Sequence, residues 1–194
     1  MEAKEIRLVH RGEYLVYYEI DYCDEAGNKK TYEIVSKAGC KKLKTPELTL
    51  ETIGNNVCAV VLLVFNRDHS KMLLSKEFRM GVNQYVINSP AGMIDAGETV
   101  EEAARRELKE ETGLNLIRVV DELNVTFTCA PVTDDATGML IVEADGEITG
   151  SDSVFEEIHS KWYSKSEVIE MLNSNDIKFA GRTQAYAYAW AIGI

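Results

Sequence analysis

The stretch "PAGMIDAGETVEEAARRELKEETGL", Pro90–Leu114, raises a physical question about the whole chain. Thr99 followed three residues later by Glu102 is a capping box, and Gly113 is a natural helix stop. The spacing therefore predicts a helix from Val100 to Thr112. Its surface carries candidate i,i+4 ion pairs: Glu101 with Arg105, Glu102 with Arg106, and Arg106 with Glu110. Glu107 and Glu111 break this order. Neither has a basic residue three or four positions away, they stack on one face, and Glu110 sits beside them. Like charges so placed destabilise a helix by a few tenths of a kcal/mol per pair when exposed. At 4 Å and an effective dielectric near 20, the repulsion reaches about 4 kcal/mol. Two readings fit the spacing: a solvated acidic face, or a site for a hard divalent cation with oxygen ligands.

The chain around it has 194 residues and a formal charge of −11. That length suits one domain, with room for a small appendage, and a core of ordinary size. So acidic a chain does not suit a nucleic-acid backbone, which rewards basic patches. A phosphorylated small substrate would need bound cations to approach it. No apolar run reaches the roughly 18 residues of a membrane span. The N-terminus lacks the basic-then-apolar order of a signal peptide, so the expected location is cytoplasmic, with no membrane partner. Cys23, Cys40, Cys58 and Cys129 are scattered and read as reduced thiols. His10, His69 and His159 are far apart and read as surface or core residues.

Working outward, residues 6–10, 14–22 and 31–37 read as strands of a small N-terminal antiparallel meander, with a turn at Gly27 and Asn28. Residues 38–56 are polar and irregular and read as a linker. Residues 57–65 (VCAVVLLVF) form an apolar run typical of a strand buried on both faces. Strands are expected again at 71–78 and near 116–128, 138–144 and 157–163, and helices at 165–173 and 182–192. The order lacks regular strand–helix alternation, which points to an α+β layered domain. The expected division is a meander over residues 1–45 and a main domain over 46–194.

Gly92, Glu98, Arg106, Glu107, Leu108, Glu110, Glu111, Gly113 and Leu114 fall at every fixed position of G-x5-E-x7-R-E-U-x-E-E-x-G-U, with U a bulky aliphatic residue. The segment thus resembles the Nudix box. That resemblance implies an α/β/α sandwich with a mixed sheet, whose loop–helix–loop binds Mg²⁺ or Mn²⁺ and hydrolyses a nucleoside diphosphate linked to a further group. By the same resemblance Glu107 and Glu111 are the main metal ligands, Glu110 an additional ligand with a catalytic part, and the Ala91 carbonyl a further ligand. Glu98 and Arg106 pin the loop to the helix, and Gly92 and Gly113 are structural.

"SPAG" at Ser89–Gly92, "EFR" at Glu77–Arg79 and Pro131 resemble the ADP-ribose/ADP-sugar pyrophosphatase branch. There, a small N-terminal domain exchanges across a homodimer and helps hold adenine, which implies a homodimer here too. The resemblance makes Tyr32, Arg79 and Pro131 substrate-binding candidates. Tyr32 is either an adenine-stacking face or an ordinary strand tyrosine, and Arg79 either a phosphate contact or an edge salt bridge. The general base is expected from the loop at 143–159, on Glu156 or its neighbour Glu157. Three departures bear on the substrate: Asn88 stands where the branch usually has glutamate, Glu77 where it has glutamine, and "PVTDD" replaces a glycine-led run. The expected activity is hydrolysis of ADP-ribose or a related ADP-sugar to AMP and a sugar phosphate. The alternatives are a hydrolase of GDP- or UDP-sugars and a non-catalytic ligand-binding domain.

Overall fold

In the computed structural model, residues 1–55, 57–151 and 157–193 are described. The chain divides into two compact units, one of Met1–Cys58 with Val125–Thr137 and one of Ala59–Asn124 with Gly138–Ile194.

The first unit is built on an antiparallel sheet in the order β1 (Glu2–Arg11), β2 (Val16–Cys23), β3 (Lys29–Ser36). The second strand starts at Val16 rather than Tyr14, because Gly12 N–H closes a turn onto Leu15 O at 2.8 Å. Alternate residues of β2 (Val16, Tyr18 and Ile20) are buried with Ile34 of β3. A lone three-stranded sheet has an apolar face that must be covered. Residues 38–55 supply the rest of the cover: Cys40 and Leu48 complete the same core. Tyr18 is the tie, its hydroxyl donating to Ala38 O and accepting Leu48 N–H, both at 3.1 Å. The polar stretch expected to be a linker is therefore a lid on its own meander.

The larger sheet runs β10 (Ile158–Ser164), β5 (Lys71–Arg79), β4 (Val57–Phe65), β9 (Ala136–Asp145), β8 (Asn115–Phe127). Two short strands join it, β6 (Gln84–Asn88) on β5 and β7 (Ala91–Met93) on β4. The apolar run of β4 serves both faces in alternation. Val60, Leu62 and Val64 pack with Ala103, Ala104 and Leu108 of α1 (Val100–Thr112). Val61, Leu63 and Phe65 pack with Val168 of α2 (Lys165–Leu172) and with Ala187 and Ala191 of α3 (Gly181–Ile192). Helices on both sides of a mixed sheet make the expected α/β/α sandwich. Burying Leu108 alone stabilises this layer by roughly 1.5–3 kcal/mol.

Candidate functional site

The helix α1 begins and ends where the sequence places it. Thr99 Oγ1 accepts Glu102 N–H at 3.2 Å, and Glu102 Oε2 accepts Thr99 N–H at 2.8 Å. Such a cap contributes about 1 kcal/mol. Gly113 closes the helix at φ +80°, its N–H on Lys109 O at 2.9 Å. The buried face of α1 holds Ala103, Ala104, Leu108 and Thr112. That fixes the helix rotation and leaves Glu107, Glu110 and Glu111 off the core side.

Arg106 organises the loop. Its Nε and Nη2 donate to the two oxygens of Glu98, each at 2.8 Å, and Nη2 also donates to Met93 O at 2.8 Å. Glu98 in turn accepts Asp95 N–H at 2.9 Å. The Arg106 guanidinium, with that N–H, holds the Glu98 carboxyl down at about 2. The expected pairing of Arg106 with Glu102 does not form, because Glu102 closes the helix cap instead. The Glu101–Arg105 pair does form, at 2.6 Å.

Glu107 is not without a cation, as helical spacing suggested. Arg106 Nη1 lies 2.8 Å from Glu107 Oε1 and 3.4 Å from Glu110 Oε2. Counting only neighbours three and four residues away misses this contact, since a long guanidinium side chain reaches the adjacent residue.

Strand β7 brings the rest of the site. It pairs antiparallel with β4, setting Val60 opposite Gly92 and Val61 opposite Ala91. A Cβ on Gly92 would lie 1.8 Å from the carboxyl carbon of Glu107, so only glycine lets that carboxylate rest against the strand. Glu111 Oε2 accepts Ala91 N–H at 3.3 Å. Thus Glu107 and Glu111 reach the Ala91–Gly92 backbone from one helix face, with the exposed Glu110 beside them. Among the described residues, no three His, Cys, Asp or Glu side chains are gathered round a single point. Glu107, Glu110 and Glu111 offer oxygen donors alone. That chemistry fits Mg²⁺ or Mn²⁺ and not a soft metal.

Arg79, at the end of β5, pairs with Glu77 Oε1 at 2.9 Å. Glu77 Oε2 also accepts Asn88 Nδ2–H at 3.3 Å, so two of the three departures from the branch pattern meet in one hydrogen bond. Glu156 lies outside the described residues. Glu157 is exposed and already engaged: Tyr85 O–H donates to its Oε1 at 2.5 Å, and His159 Nε2 lies 3.5 Å away. The Tyr85 hydrogen bond, foremost, lowers the Glu157 carboxyl below its ordinary range. Tyr85 escaped the sequence reading because β6, which carries it, is too short to show a periodicity. In the first unit, Tyr32 O–H donates to Pro131 O at 2.8 Å, bringing those two candidates together across 99 positions of sequence.

A family model, the NUDIX domain, matches residues 55–182. The chain belongs to the Nudix family. It is similar to the ADP-sugar pyrophosphatase of Mus musculus, 33% identical over 106 residues, which is 55% of this chain and 44% of that protein. It is also similar to the ADP-ribose pyrophosphatase of Saccharomyces cerevisiae, 40% identical over 75 residues, covering 39% of this chain and 32% of that one. The matches thus span between about a third and under half of these relatives' own length. A solved structure described as an ADP compounds hydrolase superposes with TM-score 0.71 at 17% identity, over 100% of this chain and 94% of the other, and shows the same fold. No helix among the described residues is long and apolar enough to cross a membrane.

Proposed function

We propose that the chain is a metal-dependent hydrolase of the diphosphate bond of ADP-ribose or a related ADP-sugar, yielding AMP and a sugar phosphate. The observation that carries this is the meeting of Glu107 and Glu111 with the Ala91–Gly92 backbone, in a chain whose relatives bear the names ADP-sugar and ADP-ribose pyrophosphatase. Glu107, Glu111, Glu110 and the Ala91 carbonyl would hold Mg²⁺ or Mn²⁺. When bound, the metal neutralises phosphate oxygens and acidifies water. The chain's own residues do the rest. Arg106 and Glu98 fix the loop so that the carboxylates are pre-positioned, and Gly92 keeps space for Glu107. Arg79 offers its guanidinium to a phosphate oxygen in exchange for Glu77, and Glu156 takes the proton of the attacking water. Glu157 is the weaker candidate base, because the Tyr85 hydroxyl already occupies its oxygen.

Tyr32, in the first unit, provides the stacking face for adenine within a homodimer, with Pro131 beside it. Base stacking is worth about 1–3 kcal/mol per base in nucleic-acid systems.

The test is a Mg²⁺-dependent assay over ADP-ribose, ADP-glucose, GDP-mannose, UDP-glucose and diadenosine polyphosphates, with products identified. Turnover highest on ADP-ribose or ADP-glucose, with AMP as product, is the expected result. Preference for a GDP- or UDP-sugar would change the substrate assignment, and turnover of none would favour a ligand-binding domain.

A further inference from the structure

Thr183 sits in the first turn of α3, 94 positions along the chain from Ser89, and is 1% exposed. Its neighbourhood is a one-way chain of hydrogen bonds. Ser89 N–H donates to Thr183 Oγ1 at 3.0 Å, and the Thr183 hydroxyl donates to Asn88 Oδ1 at 3.1 Å. Asn88 Nδ2–H donates to Glu77 Oε2, whose other oxygen takes Arg79. Ser89 Oγ, at 3.2 Å, is a second acceptor within reach of the Thr183 hydroxyl. The polarity of the Asn88 amide is determined by Glu77. A carboxylate can only accept, so the Asn88 amide must present its oxygen to Thr183. A threonine whose oxygen takes an N–H has its single proton to give onward.

These bonds bear on the site because Ser89 leads straight into the Pro90–Gly92 backbone. Pro90 has no N–H. The backbone entering Ala91 therefore has two donors with which to anchor itself, Ser89 N–H and Ala91 N–H. The second goes to Glu111, one of the candidate ligands. The first goes to Thr183. On the acceptor side, Pro90 O takes Leu62 N–H at 2.8 Å. The start of α3 is itself tied to β6: Ile87 N–H donates to Lys178 O at 2.7 Å, and Ala180 N–H to Ile87 O at 2.9 Å. The helix start is thus stapled beside the strand whose end it holds.

We infer that Thr183 is a positioning residue for the metal site, acting through Ser89 and Asn88 on the Pro90–Gly92 backbone and so on the Ala91 carbonyl. This rests on the reading of the box as a metal site. The carboxylate at 77 and the amide at 88 share one hydrogen bond, which turns the amide's oxygen toward Thr183.

The experiment is Mn²⁺ titration followed by electron paramagnetic resonance, without substrate, on the wild type and on Thr183→Val, Thr183→Ser and Asn88→Leu, each checked for folding by thermal melting. Thr183→Val keeps the volume and removes the hydroxyl. It is expected to weaken Mn²⁺ binding about tenfold, the low end for loss of a group that orients a ligand. Thr183→Ser keeps the hydroxyl and is expected to stay within about twofold of wild type by the same reasoning. Asn88→Leu removes at similar size both the acceptor of the Thr183 hydroxyl and the donor to Glu77, so it should follow Thr183→Val, and it decides the matter if the valine variant does not fold. Normal Mn²⁺ affinity in folded Thr183→Val or in folded Asn88→Leu overturns the inference alone. A serine variant as weak as the valine one also overturns it, by assigning the effect to packing. A wild-type chain that binds no Mn²⁺ overturns the metal reading itself, and this inference with it.

Discussion

Arg106 grips Glu98 with two nitrogens, Nε and Nη2, each 2.8 Å from a different carboxylate oxygen, and this bidentate pair ties the loop before α1 to the helix. Because the pairing favours the ionised acid, Glu98 titrates at about 2 in the folded chain against an ordinary value of 4.5. A depressed carboxylate contributes stability that is fully present above the unfolded value and is lost as pH falls toward the folded one. Glu98→Gln should therefore melt below wild type at neutral pH. The gap should close between pH 4.5 and about 2, as wild type loses what the variant never had. Melting curves across that window check it; a gap that stays constant would mean that the pair adds no pH-linked stability.

Gly92→Ala separates the site from the fold. Its added Cβ would collide with the end of the flexible Glu107 side chain rather than with backbone. The expected outcome is a nearly unchanged melting temperature with metal affinity weakened about 10–100-fold, the range seen when metal-site geometry is disturbed. Calorimetric titration with Mn²⁺ reads the affinity. Unaltered binding would show that Glu107 does not need that space.

The two candidate bases should behave differently. Glu156→Gln is expected to lower kcat by about 10²–10⁴-fold while metal affinity stays near normal. Glu157→Gln, whose oxygen already accepts the Tyr85 hydroxyl, should retain most of the rate. The reverse pattern would move the base by one residue and require Tyr85 to release it.

Tyr32 has two separable features, a ring and a hydroxyl bound to Pro131 O. Tyr32→Ala should raise KM for ADP-ribose far more than it lowers kcat, since stacking is remote from the reacting phosphorus. Tyr32→Phe should keep most of the affinity. Equal KM in wild type and Tyr32→Ala would remove the stacking role, and sedimentation showing a monomer at working concentration would separately remove the dimer.

What was legible in the sequence came from strong local signals. The Thr99–Glu102 box and Gly113 set the ends of α1, and the unbroken apolar run at 57–65 announced a strand with two buried faces. β6 and β7 were not legible, because five and three residues are too few for a period and their pairing partners are set by the sheet. The covering role of residues 38–55 was hidden by their polarity. Only Cys40 and Leu48 are buried hydrophobics there, and the Tyr18 hydroxyl that holds them is a tertiary contact. In the site, the positions matching the box could be assigned one by one. The Arg106–Glu107 contact and the Glu77–Asn88 bond could not, since both depend on where long side chains end.

We propose Glu107 and Glu111 as ligands of the metal that makes diphosphate hydrolysis possible. The deciding measurement is turnover of ADP-ribose by Glu111→Gln against wild type over a Mg²⁺ titration, with melting temperature recorded in parallel. The amide keeps the shape and removes the charge, so the fold should persist and relief of like-charge repulsion on α1 should leave it as stable or slightly more so. The expected result is a loss of several orders of magnitude in rate at every Mg²⁺ concentration. Near-normal Mg²⁺-dependent turnover in that variant would rule Glu111 out as a metal ligand.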